Sequence, residues 1–228
     1  MLKADLHLHV KGDPVDDIKH TAEQLIDRAS ELHFDVLSIT CHNKVIHSTD
    51  LADYAEDKGI HLIPGAEKTI EGKHVLIYNI TNDDLKHLNS FSDLADLKKK
   101  KNVLIVAPHP YFPAPFSLGK HLDKHNNIFD AIEHSHYHTH FINFNKKAIK
   151  QAKQWNKPLI GGSDAHTLFQ LGTTYSNIAS AKTTTDILTA IKNGHLKHIS
   201  PPLSIVTFSK VTAWLVWSLA MKVVNSQR

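Results

Sequence analysis

The chain has 228 residues, 41% of them hydrophobic, and a net charge of +3 with histidine neutral. That length suits one domain with a sizeable core, and so small a charge does not demand a polyanionic partner; the run Lys98 to Lys101 reads as a solvated helix end. The single cysteine, Cys41, excludes an internal disulfide and fits a reducing, cytoplasmic setting, and Met1-Leu2-Lys3 leads into a strand pattern instead of a secretory signal.

In chain order, short apolar runs alternate with longer helical patterns. Ala4-Asp5-Leu6-His7-Leu8-His9 alternates in steps of two and reads as a strand. Asp13-Pro14 supplies an N-cap followed by proline at the first helical position, and Ile18, Ala22, Leu25, Ile26 and Ala29 form one stripe of a helix over residues 15–32. Strands are predicted over 34–40, 60–66, 74–80, 103–107, 131–133 and 158–162. Helices are predicted over 51–58, ending at Gly59, and over 82–100, 145–155 and 185–192.

Strands alternating with helices imply parallel pairing through right-handed crossovers. Roughly seven such strands can close a barrel; an open doubly wound sheet is the alternative. Residues 1–200 read as one such domain and residues 201–228 as a helical extension. The uncharged core of that extension, Val211 to Met221, is shorter than the ~20 residues a bilayer span requires. It is expected to pack as a final helix, with peripheral membrane contact or a homo-oligomer interface as alternatives.

Histidine is the compositional outlier, at 19 residues, and neutral imidazole is the commonest metal ligand. Placement matters more than number. The first strand ends in His7-Leu8-His9, the second in Cys41-His42, the third in Ala66-Glu67, and the apolar run 103–107 in Pro108-His109-Pro110. Glu133 is followed by His134, His136, His138 and His140, and the strand over 158–162 by Ser163-Asp164-Ala165-His166. In a parallel barrel all these ends share one rim, where active sites lie. His7 and His9 have the same strand parity and can chelate one ion, with Asp5 placed to orient a ring through its other nitrogen. Glu67, ending an apolar strand, needs a charged partner, and a bridging position between two cations would satisfy it. His74 begins a strand and can face either the rim or solvent, and His134 and His136 are candidates for contact with metal or phosphate.

Taken together, Asp5-Leu-His-Leu-His9, Ile39-Thr-Cys-His42, Gly65-Ala-Glu67, Ala107-Pro-His-Pro110 and Gly162-Ser-Asp-Ala-His166 resemble, in order, the motifs of the polymerase-and-histidinol-phosphatase (PHP) superfamily. The resemblance covers roughly residues 2 to 200. It implies an α/β fold, a distorted (β/α)7 barrel of TIM-like type, with two or three divalent cations (Zn, Mn or Fe). It further implies that His7, His9, Glu67 and Asp164 hold one ion and that Glu67 bridges to a second held by His109. His42 and His166 would serve a third site or contact phosphate, with His42, Asp164 and His166 as the catalytic candidates. Cys41 departs from the family's usual aspartate, and the loop after His9 is short, with Asp13 where a later acidic or histidine ligand is often found.

The chemistry expected is hydrolysis of a phosphomonoester, or of a nucleotide or nucleic-acid phosphodiester, by metal-activated water, with a small phosphorylated substrate or short nucleic acid as partner. Two alternatives remain at this stage. One is an amidohydrolase-like hydrolase of a non-phosphate substrate, which would typically place a lysine where Glu67 stands. The other is a non-catalytic metal-binding module.

Overall fold

The structure, a computed structural model, describes residues 1–226, with side chains through Ala220 except that of Leu219. The elements run β1 (Leu2–Leu8), α1 (Ala22–Glu31), β2 (Val36–Ile39), α2 (Thr49–Asp57), β3 (His61–Leu62), β4 (Gly65–Ile70), β5 (Lys73–Tyr78), α3 (Asn82–Lys86) and α4 (Phe91–Lys100). They continue with β6 (Leu104–Ala107), α5 (Lys120–Lys124), β7 (Ala131–Ser135), α6 (Asn145–Gln154), β8 (Leu159–Gly162), β9 (Tyr175–Ile178), α7 (Thr184–Lys192), β10 (Leu196–Ile199) and α8 (Ile205–Ser226).

The α/β class is as expected, but the strands form two five-stranded sheets, ordered β10-β9-β1-β2-β3 and β4-β5-β6-β7-β8. Both are mixed. β1 pairs parallel to β2 and antiparallel to β9, while β4-β5-β6 is an antiparallel meander joined to the parallel pairs β6-β7 and β7-β8. Among the described residues no ladder closes these sheets into the expected (β/α)7 barrel. Isolated parallel bridges, His42 with Glu67 and Leu8 with Ala165, join one sheet to the other. Both seams therefore run through residues singled out from the sequence.

The sheets share an apolar core. Ala4, Leu6 and Val36 from one meet Leu76, Tyr78, Val106 and Ile160 from the other, and the buried Tyr78 hydroxyl donates to the Leu6 carbonyl at 2.9 Å. α1 and α2 cover the outer face of the first sheet, and α3, α4 and α6 that of the second.

Two helices are shorter than predicted. Residues 13–20 are not helical; α1 starts only at Ala22, behind a capping box of Thr21 and Gln24. Asp13 does accept from the Val15 and Asp16 amides, as an N-cap would, but its carboxylate is also engaged by His9 and His42. That demand holds the segment as a loop. The helix predicted over 82–100 is two, because Ser90 and Asp93 form a fresh capping box and restart the chain as α4.

The last helix, α8, lies across the mouth formed by the strand ends. Thr212 meets the Tyr137 hydroxyl at 2.7 Å, Ser218 donates to Asp16 at 2.9 Å, and the Trp214 ring sits 4.4 Å from that of His166. No helix among the described residues is long and apolar enough to cross a membrane.

Candidate metal centre

The His7 and His9 side chains leave the same face of β1 and are buried, as their shared parity predicts. Each is held by its Nδ1. His7 donates to Glu133 Oε1 at 2.7 Å, and His9 donates to Asp13 Oδ2 at 2.9 Å. A carboxylate at Nδ1 fixes the tautomer and leaves the Nε2 lone pair outward. Both Nε2 atoms are buried without a hydrogen-bond partner.

Those two atoms face two carboxylates. His7 Nε2 lies 3.3 Å from Asp164 Oδ1 and 3.6 Å from Glu67 Oε2; His9 Nε2 lies 3.3 and 3.5 Å from the same oxygens. Tetrahedral ligands at about 2.0–2.1 Å from a zinc-sized ion are spaced about 3.3–3.4 Å from one another. Two lone-pair nitrogens and two carboxylate oxygens at this spacing fit a divalent cation, and the orphaned nitrogens have no other buried partner.

Glu67, at the start of β4, is the hub. Its Oε2 faces His7, His9 and, at 3.1 Å, His42 Nε2; its Oε1 faces His74 Nδ1 at 2.8 Å and His109 Nε2 at 3.0 Å. Each oxygen thus serves a different group of imidazoles. Burial would raise the Glu67 pKa, but the imidazoles of His74, His42 and His7 outweigh it and hold it well below the ordinary range. For Asp164, burial is likewise outweighed by His7 and His166. The reciprocal holds for His7: burial disfavours its charge, yet Glu133, Asp164 and Glu67 keep its pKa well raised.

A third group forms on the far side of His42. Its Nδ1 lies 3.0 Å from Asp13 Oδ2 and 3.7 Å from Asp16 Oδ2, and Asp16 Oδ2 lies 3.4 Å from His166 Nε2. His166 also places Nδ1 2.9 Å from the Asp164 carbonyl. Burial works against its charge, but Asp164 and Asp16 raise its pKa.

Backbone geometry aims these groups. His109 and Asp164 both have left-handed backbones, with φ of 54° and 47°, a conformation that costs about 1–2 kcal/mol in a side-chain-bearing residue. Gly162 permits the closest approach in the site: a Cβ there would lie 2.6 Å from Glu133 Oε1 and 2.9 Å from His7 Cβ.

The structure thus brings together His7, His9, Asp13, His42, Glu67, His74, His109, Asp164 and His166. His136 joins their edge: it lines the same pocket as Asp164 and His166, is buried with both ring nitrogens unpartnered, and burial lowers its pKa to about 4. His134 departs, stacking on His198 at 4.9 Å. Asp5 does not orient a ring as expected; its Oδ1 accepts the His7 and Ser163 amides, and Glu133 holds His7 instead. Two residues escaped sequence reasoning. Asp16 lay inside a stretch read as helix, and Glu133 was read only as the end of a strand.

A model described as PHP-associated matches residues 143–196, the segment that carries Asp164 and His166. The fold is similar to a two-domain protein of Bacteroides vulgatus containing a predicted PHP-like metal-dependent phosphoesterase, with a TM-score of 0.67 and 20% identity over 88% of this chain. It is also similar to the lesion-specific endonuclease Q of Pyrococcus furiosus, with a TM-score of 0.62 and 17% identity over 86% of this chain. The matched segment is thus similar to PHP-associated sequences, and the fold to that of PHP-like proteins. The chain spans 65% of the length of the Bacteroides protein and 57% of endonuclease Q. An uncharacterized protein of Methanocaldococcus jannaschii is 26% identical over 57% of this chain and 76% of its own length. Endonuclease Q is known in complex with a 27-mer duplex substrate bearing an abasic lesion, a structure similar to this chain with a TM-score of 0.58.

Proposed function

We propose that this chain is a PHP-superfamily, metal-dependent phosphoesterase whose catalytic domain is residues 1–200, followed by an extension over 201–228 that carries α8 (Ile205–Ser226). The observation that carries the reading is Glu67, whose two oxygens face two separate groups of imidazoles. In this reading His7, His9, Glu67 and Asp164 hold one ion, and Glu67 shares a second with His109 and His74. When bound, divalent cations (Zn, Mn or Fe) supply a nucleophile derived from water at neutral pH and neutralise charge on the phosphoryl oxygens.

The chain's own residues do the rest. Glu133 and Asp13 hold the His7 and His9 rings so that both lone pairs converge. His166 lines the pocket, where Asp164 and Asp16 raise its pKa in spite of burial; that favours the protonated ring, which would hand its proton to the leaving oxygen. A third ion would take His42, Asp16 and His166, converting that acid into a ligand. The test is a screen of the Zn-, Mn- and Fe-loaded protein against phosphomonoesters, cyclic nucleotides and short oligonucleotides. Turnover should appear with at least one class and disappear in His9→Ala and Asp164→Ala. Turnover that survives both substitutions would remove the proposed site.

A further inference from the structure

Beside the Asp164 and His166 side chains lies a small pocket of about 50 Å³. His109, Ser135, His136 and Gln170 add polar edges, but most of the remaining wall is apolar. The loop after β6 supplies Phe112 and Phe116, β7 is followed by Tyr137, and α8 supplies Val211, Trp214 and Leu215. Its aromatic rings fall in two groups. Phe116 stacks on His74 at 4.5 Å, Phe112 meets Phe116 and Tyr137 at 6.4 and 5.6 Å, and Trp214 packs on His166 at 4.4 Å.

Two features limit what can enter. No lysine or arginine is among the described residues that line the pocket, whereas proteins that bind a nucleic-acid backbone neutralise its phosphates with such groups. In addition, α8 is anchored across the mouth at both sides of Trp214, through Thr212 to Tyr137 and through Ser218 to Asp16. A long duplex would have to displace that helix, while a small ester would not.

We propose that this pocket receives the organic group of the substrate, and that the chain therefore acts on small phosphate esters with a flat apolar or aromatic leaving group. This rests on the phosphoesterase reading above and adds a specificity determinant to it. Trp214 is the central residue: it touches His166 on one side and lines the apolar space on the other. The phosphate would lie toward Asp164 and His166, and the organic group toward Phe112, Phe116 and Trp214.

Non-hydrolysable phosphonates test this without turnover. Calorimetric titration of the Mn-loaded full chain should show phenylphosphonate binding roughly tenfold or more tighter than methylphosphonate, as expected for burial of one ring. Trp214→Ala should bring the two within about threefold, Trp214→Phe should keep most of the preference, and inorganic phosphate should bind all three proteins alike. Thermal unfolding of each variant verifies that it folds, and the wild-type ratio stands as a test even if Trp214→Ala does not. Equal binding of the two phosphonates by wild type would overturn the proposal, as would binding of a labelled DNA duplex more tightly than phenylphosphonate. If the loaded protein cleaves phosphoesters yet shows no ring preference, the pocket assignment fails alone. If it binds metal but cleaves no ester, the phosphoesterase reading fails.

Discussion

Replacing Glu133 by Gln should weaken metal binding without touching any proposed ligand. Glu133 Oε1 lies 2.7 Å from His7 Nδ1, and both side chains are almost completely buried. The carboxylate forces the proton onto Nδ1 and leaves Nε2 free, 3.3 Å from Asp164 and 3.6 Å from Glu67. Glutamine has nearly the same shape but no charge. Its oxygen accepts a weaker bond, and its amide can instead donate to Nδ1, which would place a proton on Nε2 and point it at the cation. Loss of such a partner typically costs about 10- to 100-fold in metal affinity, or about 1.4–2.7 kcal/mol. The assay is competition between the protein and a chelator of known affinity for Zn²⁺. Glu133→Gln should fall in that range and retain its fold. An affinity within about twofold of wild type would refute the claim that Glu133 sets the His7 tautomer.

Gly162→Ala should produce a similar loss by a different route, since its Cβ would lie 2.6 Å from Glu133 Oε1 and must push that carboxylate away; the same competition titration checks it. Asp13→Asn should weaken metal binding more broadly, because Asp13 holds both His9 and His42 and its pKa is held below the ordinary range by those bonds in spite of burial. In the metal-free protein His7, His109 and His166 all have raised pKa values. Their contribution to stability is complete below about 6.5 and is lost as pH rises through the raised values. His134 and His136, lowered by burial to about 4, act oppositely: their contribution is complete above 6.5 and is lost as pH falls toward 4. The metal-free melting temperature should therefore decline on both sides of about pH 6.5. Metal loading at neutral pH should release protons in unbuffered solution and raise the melting temperature; no proton release would contradict the raised His7.

Much of the centre was legible because its ligands sit at strand ends, where alternation and apolar runs announce both the strand and its exit. His7, His9, His109, Asp164 and His166 follow that pattern, whereas the strand expected to end at Glu67 is two, β3 and β4, with Glu67 inside β4; all of them still converge. The supporting groups were harder to see. Glu133 is an acid within a buried strand, and only its distance to His7, 126 residues away, shows what it does. Asp16 lies in a loop whose spacing imitates a helix. The pairing of the strands was also hidden. Glu71 and Gly72, both at positive φ (49° and 76°), make the tight turn between β4 and β5, but Glu-Gly is a weaker hairpin signal than Asn-Gly or Asp-Gly. The resulting antiparallel meander, and the antiparallel pairing of β9 with β1 and β10, depart from the all-parallel pairing expected.

The convergence of these side chains on shared cations is tested most directly by anomalous diffraction from crystals of the Zn- or Mn-loaded protein. A peak bonded to Nε2 of His7, Nε2 of His9, Glu67 and Asp164, with a second on the other oxygen of Glu67 beside His109, is the expected result. Peaks elsewhere on the molecule, or none at full metal loading, would contradict it.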